Sequence, residues 1–300
     1  MSQGETRMKK VLIVGTGLIG ASVGLALKAN GFEGEVAGWD TNAEELKKAQ
    51  ECKAIDRALE RREAVLETDA DVVVLATPVL PILDWMQQLA PKLKETQLVT
   101  DVGSTKGEIT ALASKLFNQV GKARCLPGHP MAGKESGGAA LAEADLFRGA
   151  TWLFCSGEGW APAGELEMEW RKDVVRMGAV MRELDPARHD EVCAWVSHLP
   201  QMLATALSAE LEDRFADDRE GMAAVQAIGG RALREMTRLG SSPYSMWRDV
   251  AMTNPKAIAE TLAAMEQRLA HVRENLKTPE LRDEFAKANK FKKQGLGNRD

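Results

Sequence analysis

The stretch Lys10-Val11-Leu12-Ile13-Val14-Gly15-Thr16-Gly17-Leu18-Ile19-Gly20 decides the fold. Four apolar residues at 11–14 read as a buried strand, and residues 18–28 carry a helical pattern closed by Asn30-Gly31. Between them lies GxGxxG, a common pattern that gains meaning only between a strand and a helix, where a dinucleotide pyrophosphate sits. Gly15 permits the tight turn, Gly17 lets backbone approach the phosphates, and Gly20 lets the helix pack on the strand. Leu18 and Ile19 then open the helix whose amide N–H groups and positive end attract the phosphates. A second strand at 36–40 ends on Asp40, 20 residues beyond Gly20. A carboxylate there accepts hydrogen bonds from the adenosine ribose and repels a 2′-phosphate. No Arg follows in Thr41-Asn42-Ala43, so the pattern favours NAD over NADP.

Outward from this unit, short apolar runs alternate with helical patterns, the signature of a parallel sheet. Strands are expected at 72–76 (stopped by Thr77-Pro78), 98–101, 123–126 and 152–155, with helices after Pro81 and at 106–117. Beyond about residue 163 only helical patterns remain, at 165–184, 186–211, 221–239, 245–252, 256–276 and 279–290. Gly157, Gly159 and Pro162 mark a seam. The expected fold class is therefore α/β: a Rossmann-type parallel-sheet domain over residues 1–160, then an all-α domain over 161–300. Lys9-Lys10 before the apolar run 11–29 imitates a signal peptide, but its glycines, the early Lys28 and the strand that follows argue against one.

Composition narrows the function. The 300 residues carry a net charge of −5, against the clustered excess of Lys and Arg that nucleic-acid binding requires. The four cysteines, Cys52, Cys125, Cys155 and Cys193, form no CxxC pair and lack histidines at ligand spacing. A disulfide scaffold or a metal site is not expected, and a reducing cytoplasm is. No later segment is long and apolar enough to span a membrane.

Two loops fall at the carboxyl edge of the sheet, where ligands of open α/β folds bind. Asp101-Val102-Gly103-Ser104-Thr105-Lys106 follows one strand, and Gly128-His129-Pro130-Met131-Ala132-Gly133 follows the next. Ser104 reads as a helix N-cap or a ligand contact, the one not excluding the other, and His129 on its Gly/Pro-rich loop is a candidate for a functional role. Ser197 and His198, adjacent on a helix, diverge by about 100° and cannot pair as nucleophile and base. His189 and His271 lie in polar helical surroundings and read as surface residues.

These segments, with GTGLIGAS at 15–22, LATPV at 75–79, DVGSTK at 101–106, GHPMAGKESGG at 128–138, HD at 189–190, SHLPQ at 197–201, TRLGSSP at 237–243 and MWRD at 246–249, resemble the prephenate/arogenate dehydrogenase family of tyrosine biosynthesis. The resemblance implies a Rossmann domain followed by a helical dimerisation domain, a homodimer, and an active site in the cleft. It implies that His129 takes the proton of the substrate's 4-hydroxyl and that Ser104 hydrogen-bonds the same group. Arg238 matches a substrate-carboxylate clamp, Glu135 an acidic residue that helps gate the site, His198 the interdomain helix, and Trp247 a residue near the partner's site. Thr77, Pro78 and Ser104 join the glycine turn and Asp40 in contacting the cofactor. Gln201 departs from the family, whose members often carry a second histidine there, which leaves the choice between the keto acid prephenate and its amino counterpart arogenate open. Ser242, non-acidic where an acid would favour an ammonium group, leans toward prephenate. The resemblance leaves no room for a C-terminal regulatory domain.

The chemistry agrees. Removing the 4-hydroxyl proton of a cyclohexadienol drives hydride from C4 while the ring loses CO2 and becomes aromatic, so one neutral histidine suffices. A dianionic substrate suits an arginine fork. A redox-sensing NAD-binding protein without turnover is the alternative from a different class, and it predicts loss of the Ser104–His129 pair.

Overall fold

The computed structural model describes residues 8–134, 136–160 and 162–294. Strands β1 (Lys10–Val14), β2 (Glu35–Trp39), β3 (Arg57–Ala58), β4 (Val72–Leu75), β5 (Leu98–Asp101) and β6 (Arg124–Leu126) form one sheet in the order β3-β2-β1-β4-β5-β6. Every pairing in it is parallel, as between Lys10↔Glu35 and Val14↔Trp39 or Val72↔Leu98 and Leu75↔Asp101. This is the doubly wound arrangement whose strand order reverses between β1 and β4.

Alternate residues of each strand face opposite sides. Val11, Ile13, Val72 and Val74 join one buried layer with α1 (Leu18–Ala29) and α2 (Ala43–Glu51). Leu12, Val14, Val73 and Leu75 join the other, after α3 (Arg62–Leu66), with α4 (Val79–Leu89) and α5 (Gly107–Leu116). Being covered on both faces, these strands are near-continuous apolar runs.

A second sheet follows: β7 (Gly128–Pro130) runs antiparallel to β8 (Thr151–Phe154), which, past α6 (Glu165–Arg176), pairs in parallel with β9 (Val180–Glu183). The single helix expected at 165–184 is thus a helix and a strand. Gly178 takes φ +87°, the left-handed conformation that stops a helix, and Ala179 N–H bonds back to Val174 O at 3.3 Å. Trp152, Phe154, Trp170 and Val174 pack this sheet and α6 onto the first layer.

The remaining elements are helical: α7 (Pro186–Cys193), α8 (Leu199–Phe215), α9 (Arg219–Ile228), α10 (Gly230–Thr237), α11 (Tyr244–Thr253), α12 (Pro255–Glu274) and α13 (Pro279–Lys293). One compact unit ends at Pro255 and a second begins at Lys256. The pattern at 186–211 is interrupted by a π-turn, Ala194–His198, because Pro200 has no N–H to offer the preceding turn. The pattern at 221–239 breaks at Gly229-Gly230. Within the second unit, Glu284 of α13 accepts from Arg268 of α12 at 2.8 Å and from Lys287 at 2.7 Å. Among the described residues no helix is long and apolar enough to cross a membrane.

Candidate active site

The β1–α1 turn is built for close backbone approach. Gly15 has φ +95°, and a Cβ on it would lie 2.6 Å from Ala76 O and 2.9 Å from Thr77 Cγ2. A Cβ on Gly20 would lie 1.9 Å from Gly15 O and 2.9 Å from Ile13 Cγ2, so the helix seats on the strand only with hydrogen there. Gly17 is the opposite case: a Cβ would meet nothing within 4 Å, which leaves that side of the turn open. Leu18 is buried, Ile19 half-buried, and the first turn of α1 has neither a side-chain cap nor an acidic residue. Its amide groups therefore face the opening with their partial positive charge unanswered. Asp40, just past β2, accepts from Thr16 N at 2.7 Å and from Asn42 N at 2.8 Å, which fixes its carboxylate beside the turn. Thr77 is half-buried and Pro78, exposed, begins α4.

The carboxyl end of β5 carries a buried ion pair, Asp101 with Lys106, and Asp101 also accepts from Gly103 N at 2.7 Å and Gly128 N at 3.2 Å. Burying a charge is tolerable only with such full pairing. Ser104, half-buried in this loop, is not the cap of α5. That helix is capped from a distance: Asp190 on α7 accepts from Lys106 N at 2.7 Å and Gly107 N at 2.8 Å. Asp249 on α11 does the same for α4, accepting from Leu80 N at 3.1 Å. Two carboxylates of the helical segment thus lock the helices that follow β4 and β5, and Thr105 and Thr253 add a hydroxyl bridge of 2.8 Å.

His129, on β7, is buried and its Nδ1 lies 2.9 Å from His189 Nε2. His189 Nδ1 in turn lies 2.8 Å from Asp190 Oδ1. The protons can be placed by elimination. Both Asp190 oxygens act as acceptors, so His189 must carry N–H at Nδ1. Neutral His189 then accepts at Nε2, so His129 donates from Nδ1 and keeps the lone pair of Nε2 free. The chain His129–His189–Asp190 therefore holds His129 in the tautomer a general base needs. His189 is fully buried, contrary to the surface position expected from its polar neighbours. Its role is set by the docking of α7 against α5 and β7, which local sequence does not display. The adjacent HD at 189–190 was the available signal.

His198 and Trp247 are brought together, their rings edge-to-face with centroids 6.0 Å apart. Asn254 joins them to the relay, its amide 2.9 Å from Asp190 O and 3.4 Å from His198 Nδ1. Gln201 is buried and donates to Leu239 O at 2.7 Å, which anchors the exposed turn carrying Arg238. Its Oε1, with His198 Nε2 and Trp247 Nε1, is buried without a hydrogen-bond partner among the described residues. Glu135 lies outside the described residues.

Burial pushes all three clustered histidines down from their ordinary value. His129 falls well below it through desolvation and then the charges of His189, Lys106 and His198. Desolvation also lowers His189, opposed by its bond to Asp190, and lowers His198 to about 4. A group whose folded pKa is depressed below an unfolded value near 6.5 binds fewer protons in the native state across that interval. Stability is then intact above about pH 6.5 and falls as pH drops toward the folded pKa. His198 alone should cost about 2 kcal/mol between pH 6.5 and pH 5. Urea unfolding at pH 7.5 and pH 5 checks this, and His198→Asn should flatten the dependence by about one proton. Equal midpoints at the two pH values for the unsubstituted chain would contradict it.

Residues 23–174 match the profile described as prephenate dehydrogenase, nucleotide-binding domain, and residues 185–291 match prephenate dehydrogenase, dimerization domain. The chain is 33% identical over 267 residues to the prephenate dehydrogenase of Lactococcus lactis subsp. cremoris, covering 88% of this chain and 70% of that one. Its fold resembles a crystal structure of prephenate dehydrogenase from A. aeolicus in complex with hydroxyphenyl propionate and NAD+, with TM-score 0.83, 28% identity and coverage of 97% and 99%. It also resembles Synechocystis arogenate dehydrogenase, with TM-score 0.75, 29% identity and coverage of 95% and 99%.

Proposed function

The chain belongs to the prephenate dehydrogenase family and is an NAD-dependent oxidoreductase, and we propose that it converts prephenate to 4-hydroxyphenylpyruvate and CO2 with His129 as general base. The observation that carries this reading is the His129–His189–Asp190 relay at the carboxyl edge of a dinucleotide-type sheet. The glycine turn fits the cofactor: it is open at Gly17, closed to any side chain at Gly15 and Gly20, and backed by an uncapped helix end and Asp40. Gly15, Gly17, Leu18, Ile19 and Gly20 would cradle the pyrophosphate, Asp40 the ribose, and Thr77, Pro78 and Ser104 the nicotinamide end. When bound, the nicotinamide supplies the acceptor for hydride.

The chain's own residues do the rest. His129 Nε2 takes the 4-hydroxyl proton, with Ser104 hydrogen-bonding the same oxygen. The new imidazolium keeps its Nδ1–H on His189, whose other nitrogen is held by Asp190, so the positive charge forms beside preset acceptors. Arg238 clamps a substrate carboxylate, with His198, Gln201 and Trp247 as further substrate contacts; Glu135 keeps only the gating role that the family resemblance gives it. Arg238→Gln should raise KM by about 30-fold and leave kcat much less changed, because a carboxylate is bound alike in ground and transition states. An unchanged KM would remove Arg238 from that role.

One observation favours a second substrate. Gln201 Nε2 is committed to Leu239 O, so the buried Oε1 is an acceptor in need of a donor. The ammonium group of arogenate offers one and the keto group of prephenate does not. Initial rates with prephenate and arogenate, each with NAD and NADP, decide both questions. Prephenate with NAD should give the highest kcat/KM. The carboxylate of Asp40 facing a 2′-phosphate should cost NADP about 2–3 kcal/mol, or roughly 30–150-fold. Equal kcat/KM for NAD and NADP would overturn the role of Asp40.

We assign the seam between nucleotide-binding and helical parts to the segment that begins near residue 160. The paired strand β9 and the profile matches on either side of 174–185 support its extending to about residue 184. A homodimer through the helical part is supported by the match to a dimerization domain and by exposed Ile228, Met236, Tyr244 and Met252. A cytoplasmic setting is supported by four cysteines without a disulfide partner.

A further inference from the structure

We propose that His129 Nδ1, His189 Nε2 and Cys193 Sγ form a site for a borderline-soft divalent cation such as Zn2+, and that its occupancy switches the general base off. His189 Nε2 lies 2.9 Å from His129 Nδ1 and 3.6 Å from Cys193 Sγ, and the three atoms all lie within 4.8 Å of one another. Zinc bonds of about 2.0–2.1 Å to nitrogen and 2.3 Å to sulfur set tetrahedral N···N pairs ~3.4 Å and N···S pairs ~3.6 Å apart. The His189–Cys193 spacing already fits, the two rings need part by only ~0.5 Å, and His129 Nδ1 and Cys193 Sγ, within 4.8 Å, close to ~3.6 Å on binding. Contrary to the metal-free reading of the cysteines, His189 and Cys193 stand four residues apart on α7, a ligand spacing on one helix face, and His129 meets them from β7.

A second observation points the same way. His189 Nε2 has one lone pair but faces two donors, the His129 Nδ1–H and the Cys193 thiol. A cation relieves that competition by taking the place of both protons. All three side chains are buried, so water is a poor rival for the metal. Two histidines and one thiolate with a fourth position left over is a donor set that borderline-soft ions prefer to Mg2+ or Ca2+.

Binding releases one proton, from the Cys193 thiol. His189 keeps its Nδ1–H on Asp190, and the proton of His129 moves from Nδ1 to Nε2. With Nε2 protonated, His129 can no longer accept the substrate's hydroxyl proton. Coordination stands independently of the proposed function, and only the loss of activity rests on it.

The test uses the full chain carrying Cys52→Ser, which removes the exposed thiol, with Co2+ as the spectroscopic probe. One equivalent should produce a thiolate-to-cobalt charge-transfer band and the intense visible bands of four-coordinate Co2+. Zn2+ should abolish both, and adding Cys193→Ser should prevent the charge-transfer band. Zn2+ at ten times its Kd should lower kcat about tenfold, with recovery on chelation and no effect of Mg2+. X-ray absorption of the zinc-loaded protein, which needs no change at Cys193, should find one sulfur and two imidazole neighbours. A charge-transfer band that survives Cys193→Ser, or zinc surrounded only by oxygen and nitrogen, would overturn the site. One sulfur and two imidazoles with kcat intact would leave the site standing and remove His129 from the role of base.

Discussion

His129→Asn should lower kcat by ~10²–10⁴-fold while KM changes far less, because the substitution removes the proton acceptor and spares the substrate's carboxylate contacts. Asparagine is smaller than histidine and retains some hydrogen bonding, so the fold should survive and the loss belong to chemistry. The pH dependence carries the finer test. Burial and the surrounding charges hold His129 well below its ordinary value. The acidic limb of kcat/KM, which reports the free enzyme, should therefore lie below pH 6.5. Activity is full where the ring is neutral and falls as pH drops through that limb. In the Asn variant the limb should be absent from the residual rate. Near-full kcat, or an unchanged limb, would show that another group takes the proton, and His198 would be the next candidate.

Asp190→Asn should cost kcat ~10²–10⁴-fold although Asp190 touches neither substrate nor cofactor in this account. Oδ1 answers both Lys106 N and His189 Nδ1 while Oδ2 answers Gly107 N, so the amide keeps its oxygen at only one of the two positions. With the oxygen on Gly107 N, its NH2 faces His189 Nδ1, where only an acceptor can stand opposite it. His189 is driven to carry its proton on Nε2, donates to His129 Nδ1, and forces the His129 proton onto the catalytic nitrogen. The tautomer of the whole relay inverts, an effect of that size where a histidine base is oriented by aspartate. Because Asp190 also caps α5, a parallel stability loss of about 1–3 kcal/mol is expected. Urea unfolding measures that separately from kcat. Asp190→Asn with kcat within threefold of the unsubstituted chain would leave His189 and Asp190 with a purely structural role.

The parts of this molecule readable from sequence are those whose cause is local. Gly15 and Gly20 declare the β1–α1 turn because a side chain at either would collide with backbone, Gly17 leaves its outer side open, and Asp40 is legible as the polar end of an apolar strand. Ser104 and His129 were placed by their position after strands, although Ser104 proved not to cap α5 and His129 stands on a short strand of a second sheet. What was hidden depends on distant partners. Strand β9 is disguised because residues 180–183 continue a helical spacing, and only the positive φ of Gly178 separates them from α6. His189 looked like a surface residue because Arg188, Asp190 and Glu191 flank it, and its burial follows from α7 closing over α5. Lys106, which opens the helix expected at 106–117, is fully buried against Asp101, a pairing that local sequence does not display. Asn254 gave no signal at all, since an amide that bridges a remote carbonyl and a remote imidazole has no sequence pattern.

His189 and Asp190 hold His129 with its proton on Nδ1 and its Nε2 free. The chain has only four histidines, so long-range 1H–15N correlation spectra of 15N-histidine-labelled protein with NAD at pH 7 can assign each ring. The account predicts neutral rings with the proton on Nδ1 at both His129 and His189. A His129 ring protonated on Nε2, or carried as imidazolium at that pH, would contradict it.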